Sequence, residues 1–101
     1  MKREVRFHSI AQRDFVSAIE WYDAQQPGLG DRFVQEVDQA IETICERPTS
    51  FPIYEGDAHH ASLHHFPFGI LYRVTRSKTI FVLGILDRRR DPDLWSKRAR
   101  G

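Results

Sequence analysis

The sequence predicts an α+β fold in one domain (1–101): strand, helix, helix, then three strands, the helical hairpin packed on a mainly antiparallel sheet. Three observations predict it. Two stretches with apolar residues at helical spacing are joined by Pro27-Gly28. A pair of alternating segments in the second half is joined by Arg76-Ser77-Lys78. One run in that pair, Ile80 to Leu86, is apolar almost throughout.

Residues 3–8 place Val5 and Phe7 on one side by alternation and read as the first strand. Ser9 followed by Gln12 has the spacing of a capping box, in which the hydroxyl accepts from the third helical amide while Gln12 reaches back. From there Ala11, Phe15, Ala18, Ile19 and Tyr22 recur at helical spacing to about Gln26. Trp21 and Tyr22 are adjacent, so one of them must stay partly exposed. Pro27 breaks this helix and suits the first turn of a second one. Leu29, Phe33, Val37, Ala40, Ile41 and Ile44 form the second apolar stripe, with Asp31, Gln35, Asp38 and Glu42 outward, and Pro48 ends it.

Residues 49–57 are rich in turn formers and read as a surface connection. A strand is expected over about 58–66, with Ala61 and Leu63 toward the core and His60 and His64 outward. Gly69 to Thr75 puts Ile70, Tyr72 and Val74 on one face and Leu71 and Arg73 on the other. The last strand, Thr79 to Asp87, is expected to be central and covered on both faces, and the short link makes the final pair an antiparallel hairpin.

Composition fits a folded chain: 41% hydrophobic and 12% aromatic residues, well above disordered composition. The only cysteine, Cys45, excludes an internal disulfide framework, and its neighbours Ile41 and Ile44 favour a buried thiol over a nucleophile. Neither a leader-like h-region nor a membrane-length apolar run is present, so a reducing cytoplasm is expected. The net charge of +1 hides an asymmetry. Residues 1–50 carry six Lys/Arg against nine Asp/Glu, and residues 51–101 carry nine against five. A basic C-terminal end suits an anionic partner, or else is a solvated terminus.

Trp21-Tyr22 closing the first helix, then Pro27-Gly28-Leu29-Gly30-x-Arg32-Phe33, resembles the opening of ParE-type toxins. Phe66-Pro67-Phe68-Gly69-Ile70-x-Tyr72-x-Val74 is similar to the central strand motif of that family, and Arg89-Arg90-Asp91-Pro92-x-x-Trp95 to its C-terminal signature. The resemblance spans residues 5 to 95 and places the chain in the RelE/ParE superfamily, on the ParE-like side. It implies a growth-inhibiting toxin of a type II toxin–antitoxin system, silenced by a cognate antitoxin. ParE-like members are associated with poisoning DNA gyrase, whereas RelE-like members cut messenger RNA on the ribosome, so the fold does not decide the target. Two departures stand out. His59 and His60 occupy positions where the family often carries arginine. Asp87 stands where many members have a histidine, which removes a group titrating near neutral pH.

Binding to DNA gyrase is the expected action, with no metal, no small-molecule cofactor or substrate, and no membrane. Arg73, Arg88, Arg89, Arg90 and Trp95 are the expected target-binding residues, because guanidinium forks grip phosphate or carboxylate and stay charged. Trp95 is also read as packing back on the sheet. An endoribonuclease acting on the ribosome is the alternative, with His60, His64 and Arg90 as its acid–base and phosphate-holding groups. A third reading is an inactive or regulatory binding module. His60 and His64 would need a third ligand to hold zinc, and none stands at a diagnostic spacing. The uncovered apolar face at Leu71, with Arg73 beside it, is expected to receive the C-terminal segment of the antitoxin as helix or strand.

Overall fold

The computed structural model describes residues 3–101. Its elements run β1 (Val5–Phe7), α1 (Ser9–Gln25), α2 (Leu29–Glu46), β2 (Ile53–Glu55), β3 (Ala58–Ser62), β4 (Phe68–Val74), β5 (Ile80–Asp87) and α3 (Pro92–Arg100). The five strands form one mixed sheet in the order β1-β5-β4-β3-β2, parallel only between β1 and β5. This is the expected α+β architecture with two additions, β2 and α3. No described helix is long and apolar enough to cross a membrane.

The helical hairpin covers one face. Ala11, Ala18 and Tyr22 of α1 and Phe33, Val37 and Ile44 of α2 are buried against Ile70, Tyr72, Ile80, Val82 and Ile85. Fully burying each aliphatic side chain contributes roughly 1.5–3 kcal/mol. Tyr22 is the buried member of the aromatic pair and Trp21 the exposed one, at 58%. The helix ends differ from expectation. His8, not Ser9, caps α1, its Nδ1 accepting from the Ile10 amide at 3.1 Å. Pro27 lies in the turn before α2, because Gly28 supplies the left-handed φ of 88° that redirects the chain and Leu29 opens the helix. Asp23 at the end of α1 accepts from the Gly30 amide at 2.8 Å, satisfying one of the open donors of α2.

α3 covers the other face. Trp95 and Ala99 pack on Leu71, Leu83, Leu86 and Ala58 as a second core cluster. The face at Leu71 is therefore closed by the chain's own C-terminus, and Leu71 is 0% exposed. Asp91 caps α3 by accepting from the Asp93 amide at 2.9 Å, Pro92 sits in its first turn, and Lys97, Arg98 and Arg100 lie in its last.

β5 is central, flanked by β1 and β4, and covered on both faces as its apolar run predicts. Leu71 pairs with Gly84 and Tyr72 with Val82, so Leu83 is the extra residue of a bulge. The bulge shifts the phase of alternation, which lets Val82 and Ile85 share the hairpin face while Leu83 and Leu86 share the other. β1 ends opposite Val82. Beyond it Asp14 of α1 accepts from the Ile85 amide at 3.2 Å, and Arg98 of α3 donates to the Leu83 carbonyl at 3.4 Å.

Candidate functional site

β3 ends at Ser62, so His64 is not on the strand but in the exposed connection to β4, where it borders a hollow beside Glu36 of α2 and Arg47 just past its end. In the same connection the His65 ring lies 2.5 Å from a Glu36 carboxylate oxygen, and its amide donates to that carboxylate. Burial alone would raise Glu36, but these bonds hold its carboxyl below the usual range.

His60 faces the other side of the sheet and is covered, not solvated. Its ring meets Trp95 edge to face at 4.9 Å and Tyr54 at 6.4 Å. Beneath it lies Gly69, where any side chain would collide with Nε2. That buried Nε2 has no hydrogen-bond partner among the described residues. Burial, reinforced by the Arg88 charge, pushes the imidazole below its ordinary pKa, which favours the neutral ring. His60 and His64 are therefore not brought together. His59, on the opposite face, stacks on Tyr72 at 5.2 Å and bonds the Phe51 carbonyl at 2.8 Å. Among the described residues no three His, Cys, Asp or Glu side chains gather as a metal site would require.

A shallow hollow of about 150 Å³ joins Tyr54, His60, Arg88, Arg90, Pro92 and Trp95. Trp95 is part of its wall and not a presented ring. It is 4% exposed, and its indole N–H donates to the Asp87 carbonyl at 3.2 Å. The four candidate arginines divide by what they already hold. Arg73 donates to the Ala99 carbonyl at 3.0 Å and lies 3.3 Å from Asp57, so it fastens the end of α3 to the sheet. Arg89 closes a fork on Asp87, with Nε to Oδ1 at 3.0 Å and Nη2 to Oδ2 at 2.7 Å, and its amide donates to the same carboxylate. This pairing keeps Asp87 below the usual carboxylate range and cancels the negative charge introduced there. The Arg88 guanidinium makes only a 3.5 Å contact with the Phe66 carbonyl among the described residues, while its amide donates to the Pro67 carbonyl at 2.7 Å. The Arg90 guanidinium has no ion pair or hydrogen bond among the described residues, and neither Asp91 nor a helix carboxylate engages it.

Arg88 and Arg90 are thus the available cations, on the turn that links β5 to α3 and over an aromatic wall. Tyr54 belongs to the site although no pattern in the turn-rich segment singles it out. The segment's Pro52-Ile53-Tyr54 does carry two β-formers, which is the signal that was available for β2.

The sequence matches the family of ParE toxins of the type II toxin–antitoxin system parDE over residues 5–92. The fold is similar to that of a chromosomal ParDE system from P. aeruginosa, with a TM-score of 0.71 and 18% identity over 83% of this chain and 94% of that one. It is also similar to a mutant of the E. coli toxin RelE in the free state, with a TM-score of 0.72 and 14% identity over 99% of this chain and 97% of that one. The same toxin in complex with a peptide of its antitoxin RelB gives 0.65, at 14% identity over 96% and 94%. A comparison with curated proteins gives no significant match.

Proposed function

The chain belongs to the ParE toxin family of type II toxin–antitoxin systems, and from that premise we propose that it arrests growth in the cytoplasm by binding DNA gyrase. In this reading Arg88 and Arg90 grip acidic or phosphate groups of the target complex, and the wall formed by Tyr54, Pro92 and Trp95 shapes the contact. The observation that carries it is the separation of His60 from His64. General acid–base cleavage of RNA needs two proton-transfer groups around one phosphate. Here the two arginines stand beside a single histidine, covered by Trp95, while the other lies next to α2. What remains is a cationic grip, which serves binding. A cognate antitoxin would silence it.

The test is supercoiling by purified gyrase with and without the chain. Inhibition or trapped DNA breaks that vanish in Arg88→Ala/Arg90→Ala would support the reading, and undisturbed gyrase would overturn it.

One observation favours a second reading, the ribosome-dependent endoribonuclease. Burial and the Arg88 charge disfavour the His60 cation, and its Nε2 has no partner among the described residues in the hollow that Arg88 and Arg90 also line. A neutral imidazole beside two phosphate-holding cations is competent as a base once Trp95 shifts. Messages cut in a His60-dependent way would move the assignment to this chemistry.

A further inference from the structure

Three arginines in a row leave β5, and one residue before them decides where they go. Asp87 ends the strand opposite Phe68, and the ladder runs one step further because the Arg88 amide donates to the Pro67 carbonyl at 2.7 Å. The chain then turns. The Arg90 amide donates back to the Asp87 carbonyl at 3.0 Å, closing a four-residue turn with aspartate in its first position. The same carbonyl accepts the Trp95 indole N–H at 3.2 Å, which ties the start of α3 to this turn. The Asp87 carboxylate adds a side-chain brace by accepting the Arg89 amide at 2.8 Å.

The carboxylate also sorts the side chains. Its fork takes the Arg89 guanidinium at 3.0 and 2.7 Å and holds it on the α1 side, beside Trp21 and Tyr22. Arg88 and Arg90 line the hollow of Tyr54, His60 and Trp95, where Arg89 has no place. The Asp87 side chain is 18% exposed and that of Arg89 75%, so the carboxylate is the fixed partner and the guanidinium the recruited one. We propose that Asp87 is the positioning residue of the cationic grip: it withdraws Arg89 and holds the turn that leaves Arg88 and Arg90 facing one hollow. The inference rests on the reading in which those two arginines hold the target. Two long side chains can grip one anionic group together only at a cost in ordering, and a braced turn meets part of that cost before the target arrives. Asp87 does this without touching the target, since its carboxylate is already engaged by Arg89.

The test is made in an Arg89→Ala background, so that losing the carboxylate does not release a third cation. Asp87→Ala should there speed hydrogen exchange of the amides at positions 89 and 90 at least about fivefold. Nuclear Overhauser contacts from the Arg88 and Arg90 side chains to the Tyr54 and Trp95 rings should weaken with it. The concentration that inhibits gyrase supercoiling should rise about tenfold. Asp87→Asn, whose amide oxygen still accepts from the N–H at position 89, should restore most of all three, and melting curves verify that each variant is folded. Exchange and ring contacts unchanged in Asp87→Ala would overturn the inference, as would a loosened turn with inhibition unchanged. It would equally fall if Asp87→Asn kept the turn intact yet lost as much inhibition as Asp87→Ala, since the charge would then act on the target directly. If the unaltered chain leaves gyrase undisturbed, the gyrase reading fails, while exchange rates and ring contacts still judge Asp87.

Discussion

Asp14 on α1 and Arg98 on α3 meet in a two-pronged ion pair at the unpaired end of β5, with Nη2–Oδ1 at 2.9 Å and Nη1–Oδ2 at 2.5 Å. Each partner also bonds the strand between them, at the Ile85 amide and the Leu83 carbonyl. The pair ties the two helical layers together and fills an edge that would otherwise invite pairing with another chain. Both side chains are mostly buried, so removing one leaves the other uncompensated. Arg98→Met is expected to cost about 3 kcal/mol. For a domain of this size that lowers Tm by more than about 10 °C. The double variant Asp14→Asn/Arg98→Met should be less damaged than the sum of the singles, which a thermal-melt mutant cycle measures.

Tyr72 gives an alkaline signature. Its buried hydroxyl donates to the Pro48 carbonyl at 2.7 Å, and burial pushes its pKa up to about 12. A folded pKa above the unfolded value near ~10 means stability fully present below that value and lost as pH rises through about 12. Tyr72→Phe should flatten this alkaline limb. It should also cost about 1–3 kcal/mol near neutral pH, because the Pro48 carbonyl loses its donor.

His60 should titrate below ordinary histidine, under about 6.5, because burial first and the Arg88 charge second disfavour its cation. The unfolded chain takes up that proton more readily, so this group withdraws stability as pH falls below ~6.5. Histidine ring NMR across pH 4–8 checks the assignment, and a His60 midpoint at or above 6.5 would refute the packing described.

Gly69→Ala should be disruptive although it adds one methyl group. The Cβ would collide with His60 Nε2 and approach Trp95 at 3.1 Å. The expected result is a loss of about 1–3 kcal/mol and a displaced His60 resonance. Gly69→Ala combined with His60→Ala should recover part of the melting temperature.

Arg89→Ala should leave growth arrest nearly unchanged, because Asp87 already holds that guanidinium. Its removal frees the Asp87 carboxylate, whose pKa then moves back toward the ordinary value. Plate growth assays beside Arg90→Ala, where arrest should weaken, separate the two neighbouring arginines.

The layers of the fold were legible in particular residues. Ile70 and Tyr72 against Leu71 declared the two faces of β4, and the near-continuous apolar run of β5 declared a strand buried on both sides. The bulge at Leu83 was not legible, because a period-two pattern in a run that is apolar throughout has no phase to lose. α3 was missed for a different reason. Its apolar residues are few, Leu94, Trp95 and Ala99 among them, so periodicity is weak, although the boundary signals are strong: Asp91 as cap, Pro92 in the first turn, and basic residues in the last. Missing α3 misplaced the site. Without it His60 is read as solvated and Leu71 as uncovered, Trp95 is read as packing back on the sheet with no helix to carry it there, and Arg73 has no helix end to hold. The division of Arg89 and Arg73 from Arg88 and Arg90 depends on distances that spacing along the chain does not encode.

The most direct measurement is induced expression of the chain in bacteria, recording growth, DNA-damage response and message integrity together. It is made beside Arg88→Ala/Arg90→Ala at equal protein level. Arrest with a damage response and intact messages, relieved in the double variant, is the predicted result. Arrest with cut messages and no damage response would contradict the gyrase reading and make His60 the residue to pursue.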